Sequence, residues 1–219
     1  WNRKTASAAI ATPNSPAAAT SPNGLPMSDV SVLTVGPLDL GANNILNYMR
    51  LVCRRFAITS GRRQVPVKYP AKLDPSGNGS IRIGADNLDA TIWSTPGRKI
   101  VLGYSQGAQV AGAWMRKYAH SPDAPPASEL SFILIGNPER KFGKQPWTEK
   151  VTPDYTQYSV MDVARKGDNW ADYDPKVHGT KRVPAMFGKI HNSYWDVDVF
   201  DGRSEVVAVV GNTAYVRVP

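Results

Sequence analysis

The pentad Gly103-Tyr104-Ser105-Gln106-Gly107 lies between the apolar run Ile100-Val101-Leu102 and a helical pattern that continues to Tyr118. A serine spaced this way between glycines fits a sharp strand-to-helix turn. It stands clear of its neighbours only if the positions two residues either side carry little more than hydrogen. The same turn aims the first N–H groups of the helix at the space beside Ser105 Oγ, so the helix N-terminus and the Gln106 amide can hold developing negative charge. Strand before and helix after separate this arrangement from an ordinary Gly-Ser surface turn. They also commit the flanking chain to an α/β architecture.

The rest of the chain carries that alternation through. Residues 1–28, rich in Ala, Pro, Ser, Thr and Asn without hydrophobic period, read as a linker or loosely attached arm. Val30 to Val35 reads as a strand closed by Gly36-Pro37, Asn43 to Phe56 as a helix, Gln64 to Tyr69 as a strand, 74–80 as a loop and Ile83 to Trp93 as a helix. Past the pentad, Pro122 to Pro126 ends the helix, and Leu130 to Ile135 is a near-continuous apolar run of the kind a parallel sheet buries on both faces. A strand over Tyr155 to Ala164 opens into Arg165 to Pro175, and Glu205 to Val210 with Thr213 to Val218 form a β-hairpin about Gly211-Asn212. The expected fold is a doubly wound, mostly parallel sheet with helices on both faces, residues 29–200, carrying a hairpin extension at 201–219.

Composition narrows the function classes. The 219 residues suffice for one core, and no apolar stretch approaches the ~20 residues of a membrane span. The chain starts at Trp1, not Met, and ends at Pro219, which reads as a processed form or a segment of a longer polypeptide. No signal peptide is legible. The net charge of +8 is spread over Arg54-Arg55, Arg62-Arg63, Lys141, Lys144 and Lys181-Arg182 with no aromatic-interleaved stripe, so a solvated basic surface is expected and nucleic acid is not. The single cysteine, Cys53, reads as a buried core thiol; it can form no intrachain disulfide.

A serine nucleophile needs a base within hydrogen-bond reach and a carboxylate to orient that base. His120 sits at the far end of the helix that starts at the pentad, roughly 15 residues or ~22 Å away, and is excluded. Of the two that remain, His178 lies in a polar segment, whereas His191 lies in Gly188-Lys189-Ile190-His191-Asn192-Ser193-Tyr194-Trp195, where aromatics can shield an imidazole. His191 is therefore favoured and His178 reads as a bystander. Asp168, after Gly167 at a strand end, is the best orienting acid, with Asp172 in reserve.

These motifs together resemble a family. Gly103-Tyr104-Ser105-Gln106-Gly107-Ala108 looks like the elbow of cutinases and their mycobacterial relatives. Ile135-Gly136-Asn137-Pro138-Glu139-Arg140 resembles the Gly-Asn-Pro-x-Arg segment of the serine hydrolase domain of mycobacterial PE and PPE proteins and of mycobacteriophage lysin B. Gly167 to Asp172 resembles their acid loop, and His191 with Tyr194 their His-x-x-Tyr.

The resemblance, over about residues 30–198, implies an α/β-hydrolase esterase or lipase without cofactor or metal. It would act on acyl-ester lipids, plausibly of a mycobacterial-type envelope, with Ser105, Asp168 and His191 as triad. It favours an extracellular, cell-envelope or virion setting, with envelope or virion partners. The disulfides of true cutinases have no counterpart here. Where relatives offer Gly-Thr or Gly-Ser after the first strand, this chain has Gly36-Pro37-Leu38; Pro37 has no N–H and Leu38 no hydroxyl, so the second oxyanion donor beside the Gln106 amide must be the Leu38 amide or a side chain from elsewhere. The short stretch 137–154 leaves little room for a lid and implies an open site. A competing reading keeps the fold as a structural or adsorption module of a virion or cell surface, with weak or lost chemistry.

Overall fold

The computed structural model describes residues 30–39, 47–73, 79–179 and 188–219. The N-terminal arm, the start of the helix expected at 43–56 and most of the loop expected at 74–80 lie outside them. The strands are β1 (Ser31–Val35), β2 (Arg63–Pro66), β3 (Lys99–Tyr104), β4 (Leu130–Ile135), β5 (Ser159–Arg165), β6 (Glu205–Val210) and β7 (Thr213–Val218). They form one seven-stranded sheet in the order β2-β1-β3-β4-β5-β7-β6. Every neighbouring pair is parallel except β6 with β7. The C-terminal hairpin forms as read, and it completes the sheet: β7 lies parallel to β5, with Asp162 opposite Tyr215.

Side-chain alternation sorts the sheet into two cores. Leu33 and Val35, Val101, Phe132 and Leu134, and Val160 face α1 (Gly79–Ser94) and α2 (Gln106–Tyr118), which bury Leu88, Ile92, Val110, Trp114 and Met115 against them. Val32, Ile100, Leu102, Tyr104, Ile133, Ile135 and Val163 face the other way. That second face is covered by three short helical turns, Tyr48–Arg50, Val52–Arg55 and Phe56–Ile58, and by Tyr194, Val197 and Val199. Helix α1 starts a turn earlier than read because Ile81 extends the stripe of Ala85, Leu88 and Ile92. Strand β2 stops at Pro66, whose missing N–H is tolerated only at a sheet edge. Strand β5 starts only at Ser159, because the chain before it is held as loop: the Asn212 side-chain amide donates to the Thr156 carbonyl at 3.0 Å.

The helix expected through Phe56 does not continue, because Cys53, Arg54 and Arg55 have φ of 51, 52 and 63°. Three successive left-handed L-residues cost about 1–2 kcal/mol each. Long-range bonds offset this: the Cys53 N–H donates to the Tyr194 carbonyl (2.9 Å), the Arg54 N–H to that of Trp195 (2.8 Å), and Arg54 Nε to that of Asp196 (2.9 Å). Cys53 itself is buried, as read, and burial pushes its thiol pKa up.

A buried polar network joins β4, β5 and β7. Arg140 and Asp162 are both almost wholly enclosed, with Nη1 to Oδ1 at 3.0 Å. The guanidinium also donates to the carbonyls of Phe142 (2.8 Å) and Val216 (3.2 Å), while Asn137 Nδ2 donates to Asp162 Oδ2 at 2.7 Å. Breaking such a pair from one side leaves a buried charge uncompensated, at a cost of about 3–5 kcal/mol. Arg140→Met is therefore expected to lose that much in urea unfolding, and adding Asp162→Leu to restore a large part of it.

Candidate active site

Helix α2 begins at the C-terminal end of β3, and the turn between them is as tight as the pentad demands. A Cβ on Gly107 would lie 2.0 Å from the Val35 carbonyl oxygen, and one on Gly103 would lie 2.8 Å from that of Gly107. Ser105 sits in the turn with φ 54° and ψ −116°, its N–H donating to the Ile135 carbonyl at 3.0 Å. A non-glycine residue in this region is strained, and such strain is held only where the surroundings over-determine it. The site lies beside β1 and β3, where the strand order reverses and open α/β sheets gather their ligands.

Two loops bring the other candidates. Ser105 Oγ is 2.8 Å from His191 Nε2, and His191 Nδ1 is 2.9 and 3.0 Å from the two Asp168 carboxylate oxygens. All three residues are buried, Ser105 at 6 % exposure. Asp168 has no exposure and also accepts from the Trp170 N–H and the Tyr194 hydroxyl, both at 2.8 Å. Burial opposes its charge. The field and hydrogen bond of His191, with the Trp170 and Tyr194 donors, outweigh that, and the carboxyl is held below its ordinary value of 3.8.

The remaining candidates fall elsewhere. Asp172, the reserve acid, accepts from the Gly167 N–H (3.0 Å) and Arg217 Nε (2.8 Å), so it braces the acid loop against β7. His178, read as a bystander, closes the short helix α3 (Pro175–His178) and is bonded to the same loop. Its Nε2 donates to the Gly167 carbonyl (3.0 Å), which can only accept, while Nδ1 lies 3.0 Å from the Asp174 N–H and 3.1 Å from the Asp174 carbonyl. Polarity around His178 in the sequence gave no sign of this partner eleven residues away. His120 stacks on Tyr155 with centroids 5.6 Å apart. The Gln106 and Leu38 N–H groups donate to no acceptor among the described residues. The Gln106 side chain instead spans to the Lys72 carbonyl at 3.2 Å.

Three residues not singled out for roles also hold the site. Tyr104, inside the pentad, donates its hydroxyl to the His191 carbonyl at 2.5 Å, so β3 fixes serine and histidine loop together. Tyr194 grips Asp168. Gly136, with φ +54°, forms the floor: a Cβ there would lie 3.1 Å from the Tyr194 ring, 3.3 Å from His191 Cε1 and 3.4 Å from Asp168 Oδ2.

The sheet and the hydrogen-bonded Ser105, His191 and Asp168 define the class: an α/β-hydrolase, cutinase-like in its arrangement. Residues 60–177 match the PE-PPE domain, and the chain belongs to that family. It is similar to the SL1278 acyltransferase Chp1 of Mycobacterium tuberculosis, 34% identical over 122 residues, which is 48% of this chain and 30% of the relative. Esterase PE16 of the same organism is 32% identical over 143 residues, 55% of this chain and 27% of the relative. The chain thus spans less than a third of these relatives. Among solved structures, a cutinase-like protein from Cryptococcus sp. shares the fold with a TM-score of 0.50 and 21% identity, covering 77% of this chain and 86% of its own. No helix among the described residues is long and apolar enough to cross a membrane.

The buried carboxylate sets a pH dependence. Asp168 binds a proton less readily folded than unfolded, so it contributes stability that is full above about pH 4 and is lost as pH falls through the native value. In urea unfolding, the stability gap between wild type and Asp168→Asn is expected to narrow as pH is lowered from 6 to 3.

Proposed function

We propose that this domain is a serine esterase of acyl-ester lipids, with Ser105 as nucleophile, His191 as general base and Asp168 as the acid that orients it. The observation that carries the reading is the 2.8 Å contact of Ser105 Oγ with His191 Nε2, backed by both Asp168 oxygens on Nδ1. In this mechanism Oγ attacks the ester carbonyl as its proton passes to Nε2, and the imidazolium so formed faces the Asp168 charge. The N–H groups of Gln106 and Leu38, lacking other acceptors among the described residues, stabilise the oxyanion. Collapse of the tetrahedral intermediate expels the alkoxide, which takes the proton from His191, and water then releases the acyl group by the same steps. Substrates among envelope lipids of a mycobacterial type are supported by the family and by the names of the esterase and acyltransferase relatives.

The decisive test is labelling with a fluorophosphonate and turnover of p-nitrophenyl esters of graded chain length. Wild type should label and turn over. Ser105→Ala should remain folded, fail to label, and lose about 10⁴-fold or more in kcat. A labelled Ser105→Ala protein, or an inert wild type, would overturn the proposal. An oxyanion hole of two amides without a hydroxyl donor makes a separate prediction. An extra hydroxyl donor is worth up to roughly 10² to 10³ in rate, so Leu38→Ser should raise kcat on a short ester several-fold, and an unchanged kcat means that two amides suffice.

A further inference from the structure

The Tyr194 hydroxyl stands between two groups whose hydrogen-bonding roles leave it no choice. The Arg165 backbone N–H, 2.8 Å away, can only donate. The phenol oxygen therefore accepts there, and its one proton is free for Asp168 Oδ2, also at 2.8 Å. Asp168 Oδ1 has the Trp170 N–H beside His191, whereas Oδ2 has Tyr194 as its second donor. The ring is fully buried, tilted against Tyr104 with centroids 5.4 Å apart, and its main-chain carbonyl accepts the Cys53 N–H from the left-handed turn. Both the hydroxyl and the backbone of Tyr194 are thus fixed.

We propose that Tyr194 is a positioning residue for the triad: its hydroxyl proton locks the Asp168 carboxylate in the plane that faces His191 and tempers the carboxylate's basicity. The inference rests on the serine-esterase reading for its kinetic consequences alone. The proton stays on the phenol, because burial and the Asp168 charge push its pKa well above the ordinary value. Among the described residues, the ionisable groups around Tyr194 are Asp168 on the acid loop, His191 on its own loop, Tyr104 on β3, Cys53 on the left-handed turn and Arg165 at the end of β5, whose guanidinium is engaged by Ser193 Oγ (3.0 Å) and Asp196 Oδ1 (2.8 Å).

Removing the donor makes the carboxylate more basic. It then holds the imidazolium proton more tightly, and His191 becomes a free base only at higher pH. A stronger donor does the opposite. The experiment compares wild type, Tyr194→Phe, and protein carrying 3-fluorotyrosine at 194, whose phenol is more acidic at nearly the same size. The readouts are kcat and KM on p-nitrophenyl butyrate, the acid limb of kcat/KM against pH, and the His191 titration followed by NMR.

Tyr194→Phe is expected to lose about tenfold in kcat with KM within about twofold, and to move both the acid limb and the NMR titration to higher pH. The fluorinated protein should keep kcat and move both to lower pH. An unmoved titration in the Phe and fluorotyrosine proteins overturns the proposal, whatever happens to kcat, since a purely structural role changes rate without ordering the shifts by donor strength. If Tyr194→Phe fails to fold, the fluorinated protein decides alone. If wild type hydrolyses no ester, the esterase reading fails, while the NMR titration still tests the Tyr194 assignment.

Discussion

A carboxylate without any contact with water must be supplied with donors, and much of this domain's functional end is arranged to supply them to Asp168. Its oxygens collect His191 Nδ1, the Trp170 N–H and the Tyr194 hydroxyl. Each donor in turn demands a feature of the chain. The Trp170 N–H needs the acid loop to curl back on itself. Tyr194 needs the last turn of β5, where Arg165 offers its N–H. The crowding of Tyr194, His191 and Asp168 over the end of β4, with the left-handed backbone at 136, favours a glycine there. Desolvation of one charge thus dictates the geometry of three separate chain segments.

The elbow was legible because its chemistry is local. The glycines, the serine and the flanking strand and helix lie within one short window, and the close contacts of Gly103 and Gly107 are the ones their lack of a side chain allows. Asp168 and His191 could be chosen by strand-end position and aromatic shielding, and the structure sets them in hydrogen-bond reach of each other and, through His191, of Ser105. What stayed hidden depends on long-range pairing. Nothing around Cys53 in the sequence signals a left-handed turn, since its stabilising partners are the carbonyls of Tyr194, Trp195 and Asp196. The bond from His178 to Gly167 was missed for a similar reason: its acceptor is a backbone carbonyl, to which side-chain pattern is blind.

The two faces of the sheet use different means to the same end. On one, long helices bring Trp114 against Phe132 and Tyr158, with ring centroids 5.5 Å apart in both cases, and Trp114 Nε1 and the Tyr158 hydroxyl donate to Asp89 Oδ1 (2.9 Å) and the Pro125 carbonyl (2.8 Å). On the other, short turns and the histidine loop cover Ile100, Leu102 and Tyr104, so the residues that carry chemistry are also residues of the hydrophobic core. A mutation in Tyr104 or Tyr194 therefore perturbs stability and site geometry together, and only a measurement sensitive to ionisation separates the two.

The parallel pairing of β5 with β7 has a consequence for how such a domain can diversify. The chain leaves the sheet at Arg165, passes through the acid and histidine segments and re-enters at Glu205, with the Lys166 N–H tied to the Val218 carbonyl at 2.8 Å beside the point of departure. The excursion is anchored at its two ends on β5 and β6, the strands that flank β7 in the sheet. Its closure entropy grows only logarithmically with length, roughly 0.6 kcal/mol for each doubling. Insertions within this excursion are consequently cheap so long as they spare the segments that grip Asp168. A single stretch of chain can thus lengthen to reshape what approaches the serine while the sheet and the elbow remain unchanged.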